Sequence, residues 1–278
     1  VAEISAAAVK ALREQTNLPM MDCKRALEEA KGDLKLAEEL LRKAGKIKMG
    51  QRASAGRETA FGRVATYTDF AARQGAIVEL RCESAPVASN DEFVRLANDF
   101  AQQLALSPSV SAPEKLLELG SPSQPGKKLG EVFEDLNNRI REVFKLQRIA
   151  RVDGQCGSYT HHNGALGVLV QVEGGTPELA KEICMHIAFA NPSAINRDEL
   201  DPALVAKERE IQTARARSEG KPEKVIEKMI EGRMKDFYAQ HCLVDQPFVK
   251  DQNQTVGQIA KAAGMKLVWF RRWEIGKE

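Results

Sequence analysis

Apolar residues recur at helical spacing three times in the first 45 positions, each run separated by a residue that stops or caps a helix. The first run, from about Ser5 to Thr16, offers Ala8, Val9 and Leu12. Leu18-Pro19 favours a turn after it. In the second run Cys23, Ala26, Leu27 and Ala30 share one face, Asp22 is placed to accept from the free amides of the first turn, and Gly32 supplies a left-handed stop. The third run has Asp33 as cap, Ala37, Leu40, Leu41 and Ala44 as stripe, and Gly45 as expected stop. This pattern predicts a three-helix head over residues 1–45, in which Cys23 lies on the buried stripe while Met20 and Met21 fall in the inter-helix turn. A flexible apolar pair at such a tip suits docking on another protein.

A basic, Gly-containing stretch over 46–62 reads as a solvated linker, with Arg42, Lys43, Lys46, Lys48, Arg52 and Arg57 bunched in and before it. The pattern then changes period and repeats itself. TYTDFAARQGAIVELRCES, 66–84, parallels SYTHHNGALGVLVQVEGG, 158–175: a Tyr-Thr pair, a polar turn with Gly, then a β-rich run. A helix follows each copy, with Phe93, Leu96, Ala97, Phe100 and Leu104 in one stripe and Leu179, Ile183, Ile187 and Ala188 in the other. Each helix ends near a Pro, at Ser107-Pro108 and Asn191-Pro192. The unit is hairpin plus helix, used twice. Between the copies, a loop spans Gly120–Gly126, and Val132, Leu136, Ile140, Val143 and Phe144 predict one more helix. From 203 to 238 two long polar helices are expected around Gly220-Lys221-Pro222. The second carries Val225, Ile226, Met229, Ile230, Met234 and Phe237, the first a thinner line of Leu204, Ile211 and Ala214. A narrow stripe of this kind fits an antiparallel helical hairpin standing off the body. Its apolar line is free to close on its own first helix, on a second copy or on a partner. A helix, Thr255 to Ala263, and a strand, about Leu267 to Ile275, finish the chain.

The expected fold class is therefore α+β: the head over 1–45, the linker over 46–62, a core first half over 63–150, a second half over 151–197 and 239–278, and a coiled-coil-like hairpin over 198–238. At 278 residues, with 43% hydrophobic and 29% charged residues, the chain is long enough for two or three packed units. A net charge of only +2 argues against a nucleic-acid footprint. No run of about 18 apolar residues occurs and no leader-like segment opens the sequence, which fits a cytoplasmic protein. Five scattered cysteines form neither a zinc spacing nor a disulfide framework. Phosphate-cradling glycine motifs are absent. His161-His162 are adjacent imidazoles expected to project apart in a turn, with no third ligand at metal spacing. Cys-His chemistry has no local signature, so a catalysed bond change is not expected, and no cofactor is implied.

In order along the chain, the head with MMDCKRALEEAKGD, the doubled unit with SYTHHNGALGVLV, MHIAFANP, GKPEKVIEKMIEGRMKDFY and DQPFVKDQNQTVGQIAKAAG closely resemble bacterial elongation factor Ts. The resemblance implies a head of the ubiquitin-associated type. It also implies a non-enzymatic guanine-nucleotide exchange factor that binds the GTPase elongation factor Tu carrying GDP and loosens the nucleotide. Carried over by motif, the head contacts are Lys10, Arg13, Met20 and Met21, and the second half contributes His161 of Tyr159-Thr160-His161. The family's Thr-Asp-Phe-Val, whose Asp and Phe wedge near the GTPase's Mg²⁺ site, corresponds here to Ser84, Ala85, Pro86 and Val87. Ala85 has no carboxylate and Pro86 no ring, so the frame remains and both functional groups are lost. A literal Thr68-Asp69-Phe70 stands before Gly75, at the other end of the strand, about 23 Å from Ser84 at about 3.3 Å per residue. Some family members continue into a terminal helix that adds contact with Tu; the 278 residues stop soon after Trp273-Glu274-Ile275-Gly276 and on this reading carry no counterpart. Two rival readings accompany the exchange factor: a holder or chaperone that binds Tu without promoting release, and a Cys-dependent enzyme. A homodimer or two-plus-two complex through the hairpin stays open.

Overall fold

The structure, a computed structural model, describes residues 4–219 and 223–277, with only the backbone of residues 52–54, 223 and 224. The expected Gly220-Lys221-Pro222 turn lies outside the described residues. Ser5 caps α1 (Ala6–Thr16), its Oγ accepting from the Ala8 amide at 3.2 Å, and Asn17 ends the helix in the left-handed region at φ 53°. Pro19 brings the chain straight into α2 (Met20–Glu29). Asp22 is therefore inside the first turn and is not its cap; its carboxylate meets Arg25 at 2.6 Å instead. Asp33 does cap α3 (Leu34–Ser54), accepting from Lys35 and Leu36 at 2.9 and 3.1 Å. Val9, Leu12, Cys23, Ala26, Leu27, Ala37 and Leu41 close the small core of this head.

Two expectations change at α3, which runs on through Gly45 to Ser54. Gly45 permits close packing here: a Cβ on it would lie 2.2 Å from Asn138 Nδ2 on α7 (Leu129–Ile140). Part of the basic run is likewise committed to structure, since Arg42 meets Glu131 at 2.6 Å and Lys46 meets Glu134 at 3.2 Å. These contacts dock the head on the core and take the place of a solvated linker.

The repeat is visible as two three-stranded antiparallel sheets of the same order. β1 (Phe61–Asp69) and β2 (Gln74–Cys82) form the first hairpin, β4 (Gln155–Thr160) and β5 (Leu166–Glu173) the second. Each central strand takes a third neighbour, β3 (Lys145–Asp153) on β2 and β8 (Lys266–Glu274) on β5, and each such pairing shifts register once. Alternation along β2 sends Ala76, Val78, Leu80 and Cys82 toward α5 (Asp91–Ala105) and α7, and Ile77 toward the other sheet. In β5, Val168, Val170 and Val172 face α8 (Pro177–Ala190), while Leu169 faces the first sheet. The result is four layers, helix, sheet, sheet, helix. The duplicated Tyr-Thr motif marks the seam: Thr66 Oγ1 lies 3.0 Å from Thr160 Oγ1, and Thr68 Oγ1 lies 3.1 Å from Ser158 Oγ. Gly75 and Gly167 let the sheets approach there, because a Cβ would lie 2.5 Å from Cys156 Sγ or 2.4 Å from Val64 Cγ1.

α7 ends at Ile140, short of the expected Phe144, because Arg141 takes φ 67°. Phe144 then stacks edge-on between Phe93 and Phe133, and the chain continues as β3, a strand the periodicity did not announce. Short helices α4 (Ala85–Ala88) and α6 (Pro113–Leu117) complete the first half. The insertion is α9 (Pro202–Ser218) and α10 (Glu223–His241). Ile226, Ile230, Met234 and Phe237 of α10 pack with Leu200, Val205 and Ala216, so the apolar line closes on its own first helix and the approach to it. Leu204, Ile211 and Val225 stay exposed, unlike the stripe expected of them. A hairpin of β6 (Pro247–Phe248) and β7 (Asp251–Thr255) leads to α11 (Val256–Ala262), which Thr255 caps reciprocally with Gln258. No helix among the described residues is long and apolar enough to cross a membrane.

Candidate partner-binding surface

On the head, Lys10 and Arg13 are exposed on α1, Lys10 within 3.8 Å of Glu14. Met20 and Met21 occupy the first two positions of α2 and remain 52% and 61% exposed. They sit on a helix start, more rigid than the turn expected for them. Cys23, one turn later, is fully buried, its Sγ 3.7 Å from Thr16 Oγ1. The stripe thus divides as the spacing implied, with the thiol inside and the methionines outside.

Ser84 precedes α4, and its surroundings explain how the Ser84–Val87 segment is held. Glu142, just past the end of α7, accepts from the Glu83 and Ser84 amides at 3.1 Å each and from Ser84 Oγ at 2.5 Å. In return, Glu83 accepts from the Val143 amide at 2.6 Å and pairs with Arg57 at 2.8 Å. Ala85 and Pro86 are exposed, whereas Val87 packs against the core. The segment therefore presents a rigid, blunt apolar knuckle of two residues. Asp69 and Phe70 are elsewhere: Asp69 pairs with Gln74 at the far end of the hairpin from Cys82, accepts from the Ala72 amide at 2.8 Å, and Phe70 packs on the second half.

His161 stands at the tip between β4 and β5, its Nδ1 3.0 Å from the Tyr159 hydroxyl. The two imidazoles do not project apart; the His161 and His162 rings lie 4.3 Å apart, centroid to centroid. Gly164, at φ 73°, closes this turn by donating to the His161 carbonyl at 2.7 Å. Its carbonyl in turn accepts from the Val64 amide at 2.8 Å, pinning the tip to β1. Arg63 lies directly beneath, and burial lowers its pKa from the ordinary value. Among the described residues no group of three or more His, Cys, Asp or Glu is placed to hold a metal ion.

The His161 turn and Ser84 lie toward the same end of the first hairpin. Arg63, under the His161 turn, pairs with Leu80, and Phe61 pairs with Cys82, so the turn and Ser84 lie about four positions apart along the first hairpin. The head joins them through Asp22, 3.6 Å from Arg141, the residue before Glu142. Glu142 and Arg141 were not marked by any periodicity, because the apolar stripe continues through Val143 and Phe144 and hides the helix end at Arg141. The thiols offer no competing chemistry, since all five are buried. Burial pushes Cys82 and Cys156 up to about 12 and Cys242 up to about 11, far from a thiolate at neutral pH.

A family model described as Elongation factor TS matches residues 83–277. The chain belongs to this family. Elongation factor Ts of Methylococcus capsulatus is 40% identical over 277 residues, covering 99% of this chain and 92% of the relative. That of Saccharopolyspora erythraea is 41% identical over 282 residues and covers both chains fully. That of Clostridium botulinum is 41% identical over 261 residues, 91% of this chain and 84% of its own. The relatives thus extend the elongation factor Ts likeness across the head, which lies outside the span of the family model.

Proposed function

We infer that this protein is the guanine-nucleotide exchange factor of elongation factor Tu, binding Tu with GDP and promoting GDP release during translation elongation. Membership of the elongation factor Ts family carries the reading. The exposed Met20 and Met21 on a head tied to the core through Asp22 and Arg141, and the His161 turn and Ser84 toward one end of the first hairpin, support it physically. No bond is made or broken. Such a factor binds the nucleotide-poor conformation of its partner more tightly than the GDP-bound one, and by linkage weakens GDP binding by the same factor. Each tenfold loosening requires about 1.4 kcal/mol of that preference.

In this reading Lys10 and Arg13 supply charge and Met20 and Met21 supply apolar area against the GTPase domain, while His161 reaches it from the second half. Ala85 and Pro86 take the place of the Asp-Phe wedge. They offer no carboxylate to act near Mg²⁺, only a blunt push from a knuckle that Glu142 keeps in place. Exchange is therefore expected to persist with less dependence on Mg²⁺ displacement. Labelled-GDP release from the cognate Tu, followed at several Mg²⁺ concentrations, tests this: acceleration at all of them is expected, and its absence at every concentration overturns the reading. Complex formation without faster release would point instead to a holder of Tu. The site of action is taken to be the cytoplasm.

A further inference from the structure

Arg141 adds a tie between the head and the core that the α3 contacts do not supply. It caps α7 in the left-handed region, φ 67° and ψ 26°, a conformation that an L side chain adopts at a cost and glycine adopts freely. What the larger residue adds is its guanidinium, which reaches across the cleft to Asp22 of α2 at 3.6 Å. Asp22 already holds Arg25 of its own helix at 2.6 Å and Lys48 of α3 at 3.9 Å, so its carboxylate gathers three cations from three elements. The other head-to-core ion pairs, Arg42–Glu131 and Lys46–Glu134, both start from α3. Arg141 thus ties down the helix that carries the methionines. The next residue, Glu142, fixes Ser84 and the start of α4. Two consecutive residues at one helix end therefore hold two segments more than 50 positions apart in sequence.

We propose that Arg141 is a positioning residue for nucleotide exchange, holding Met20 and Met21 at a fixed setting relative to the Ser84–Val87 knuckle so that both meet the GTPase together. The proposal rests on the exchange-factor reading. Its physical basis is effective concentration: a head held in place docks as part of one surface, while a loosened head must be ordered on binding. Arg141 is about half exposed in this pair, so its effect is bounded at about fivefold in affinity.

Arg141→Gly tests it, because glycine relaxes the backbone while deleting the guanidinium. With the full-length variant and Tu carrying labelled GDP, the half-saturating factor concentration is expected to rise about three- to fivefold. The saturating release rate should stay at the wild-type value and thermal unfolding should occur no earlier. Amide hydrogen exchange in residues 17–25 should quicken, with 91–105 unchanged, and Arg141→Lys should restore the wild-type half-saturation. An unchanged half-saturation, or unchanged amide exchange in 17–25, overturns the proposal. Should the wild-type factor itself fail to speed GDP release, the functional reading falls, and the amide exchange of the free protein still decides whether Arg141 clamps the head.

Discussion

Replacing Met20 and Met21 together by Ala separates docking from folding at the head. Transferring a whole Met side chain out of water is worth about 1.5–3 kcal/mol. With 52% and 61% of these residues still exposed in the free protein, only about half of that remains to be gained on docking, about 1 kcal/mol each. The pair then contributes about 2 kcal/mol, which is about 30-fold in the second-order rate of exchange. Stability should hardly follow. Neither residue belongs to the buried cluster of the head, and both lie on a helix, where Ala is the better former. A loss under about 1 kcal/mol moves the unfolding midpoint by less than about 4 °C. The assay is labelled-GDP release from Tu over a range of factor concentrations, with thermal unfolding measured on the same samples. An exchange rate within threefold of wild type, at unchanged stability, refutes the assignment of these methionines to the interface.

Cys23→Ser is expected to cost about 1 kcal/mol of stability and leave exchange intact, as thermal unfolding and GDP release will show; lost exchange in a folded variant would revive a thiol mechanism. Thiol-specific reagents at pH 8 should label folded protein far more slowly than unfolded protein, since Cys82 is buried and pushed up to about 12. Gly157→Ala should destabilise by about 1–3 kcal/mol in denaturant unfolding, because its Cβ would lie 2.7 Å from the Ala180 Cβ and carbonyl carbon on α8. His186 accepts from the Val249 amide through Nδ1 at 3.2 Å and faces Gln246 Oε1 through Nε2 at 3.0 Å, so the buried ring is neutral and burial lowers its pKa below the ordinary 6.5. Its contribution is complete above the unfolded-state pKa of about 6.5 and is lost as pH falls from there toward the folded-state value, because the unfolded chain takes up the proton first. Denaturant midpoints between pH 7 and pH 5 should therefore fall more steeply for wild type than for His186→Gln.

Where periodicity reports a one-sided environment, the fold was readable. The β-rich runs of β2 and β5, the stripe of α5, the cap at Asp33 and the helix begun at Thr255 all stand in the structure at or within a residue or two of the expected places. It failed where tertiary contacts decide. Gly45 looks like a helix stop, yet its missing side chain serves the approach to Asn138. Asp22 looks like a cap until Pro19 starts the helix earlier and leaves the carboxylate to three cations. β3, Lys145–Asp153, alternates only weakly, since its Arg148 pairs with buried Glu79 at 2.5 Å and its Arg151 donates to the Ala105 carbonyl at 2.9 Å. The methionines and His161 came from motifs, whereas Glu142 and Arg141 carry no motif and appear only when α7 and the head are brought together.

The central claim is that this protein acts by favouring the nucleotide-poor state of elongation factor Tu. Stopped-flow release of labelled GDP from the cognate Tu, with and without the full chain at saturating concentration, tests it most directly. The account predicts release accelerated by orders of magnitude, and weaker binding of the factor to Tu as free GDP is raised. Release at the intrinsic rate in the presence of a formed complex, or no complex even with nucleotide stripped away, would contradict it.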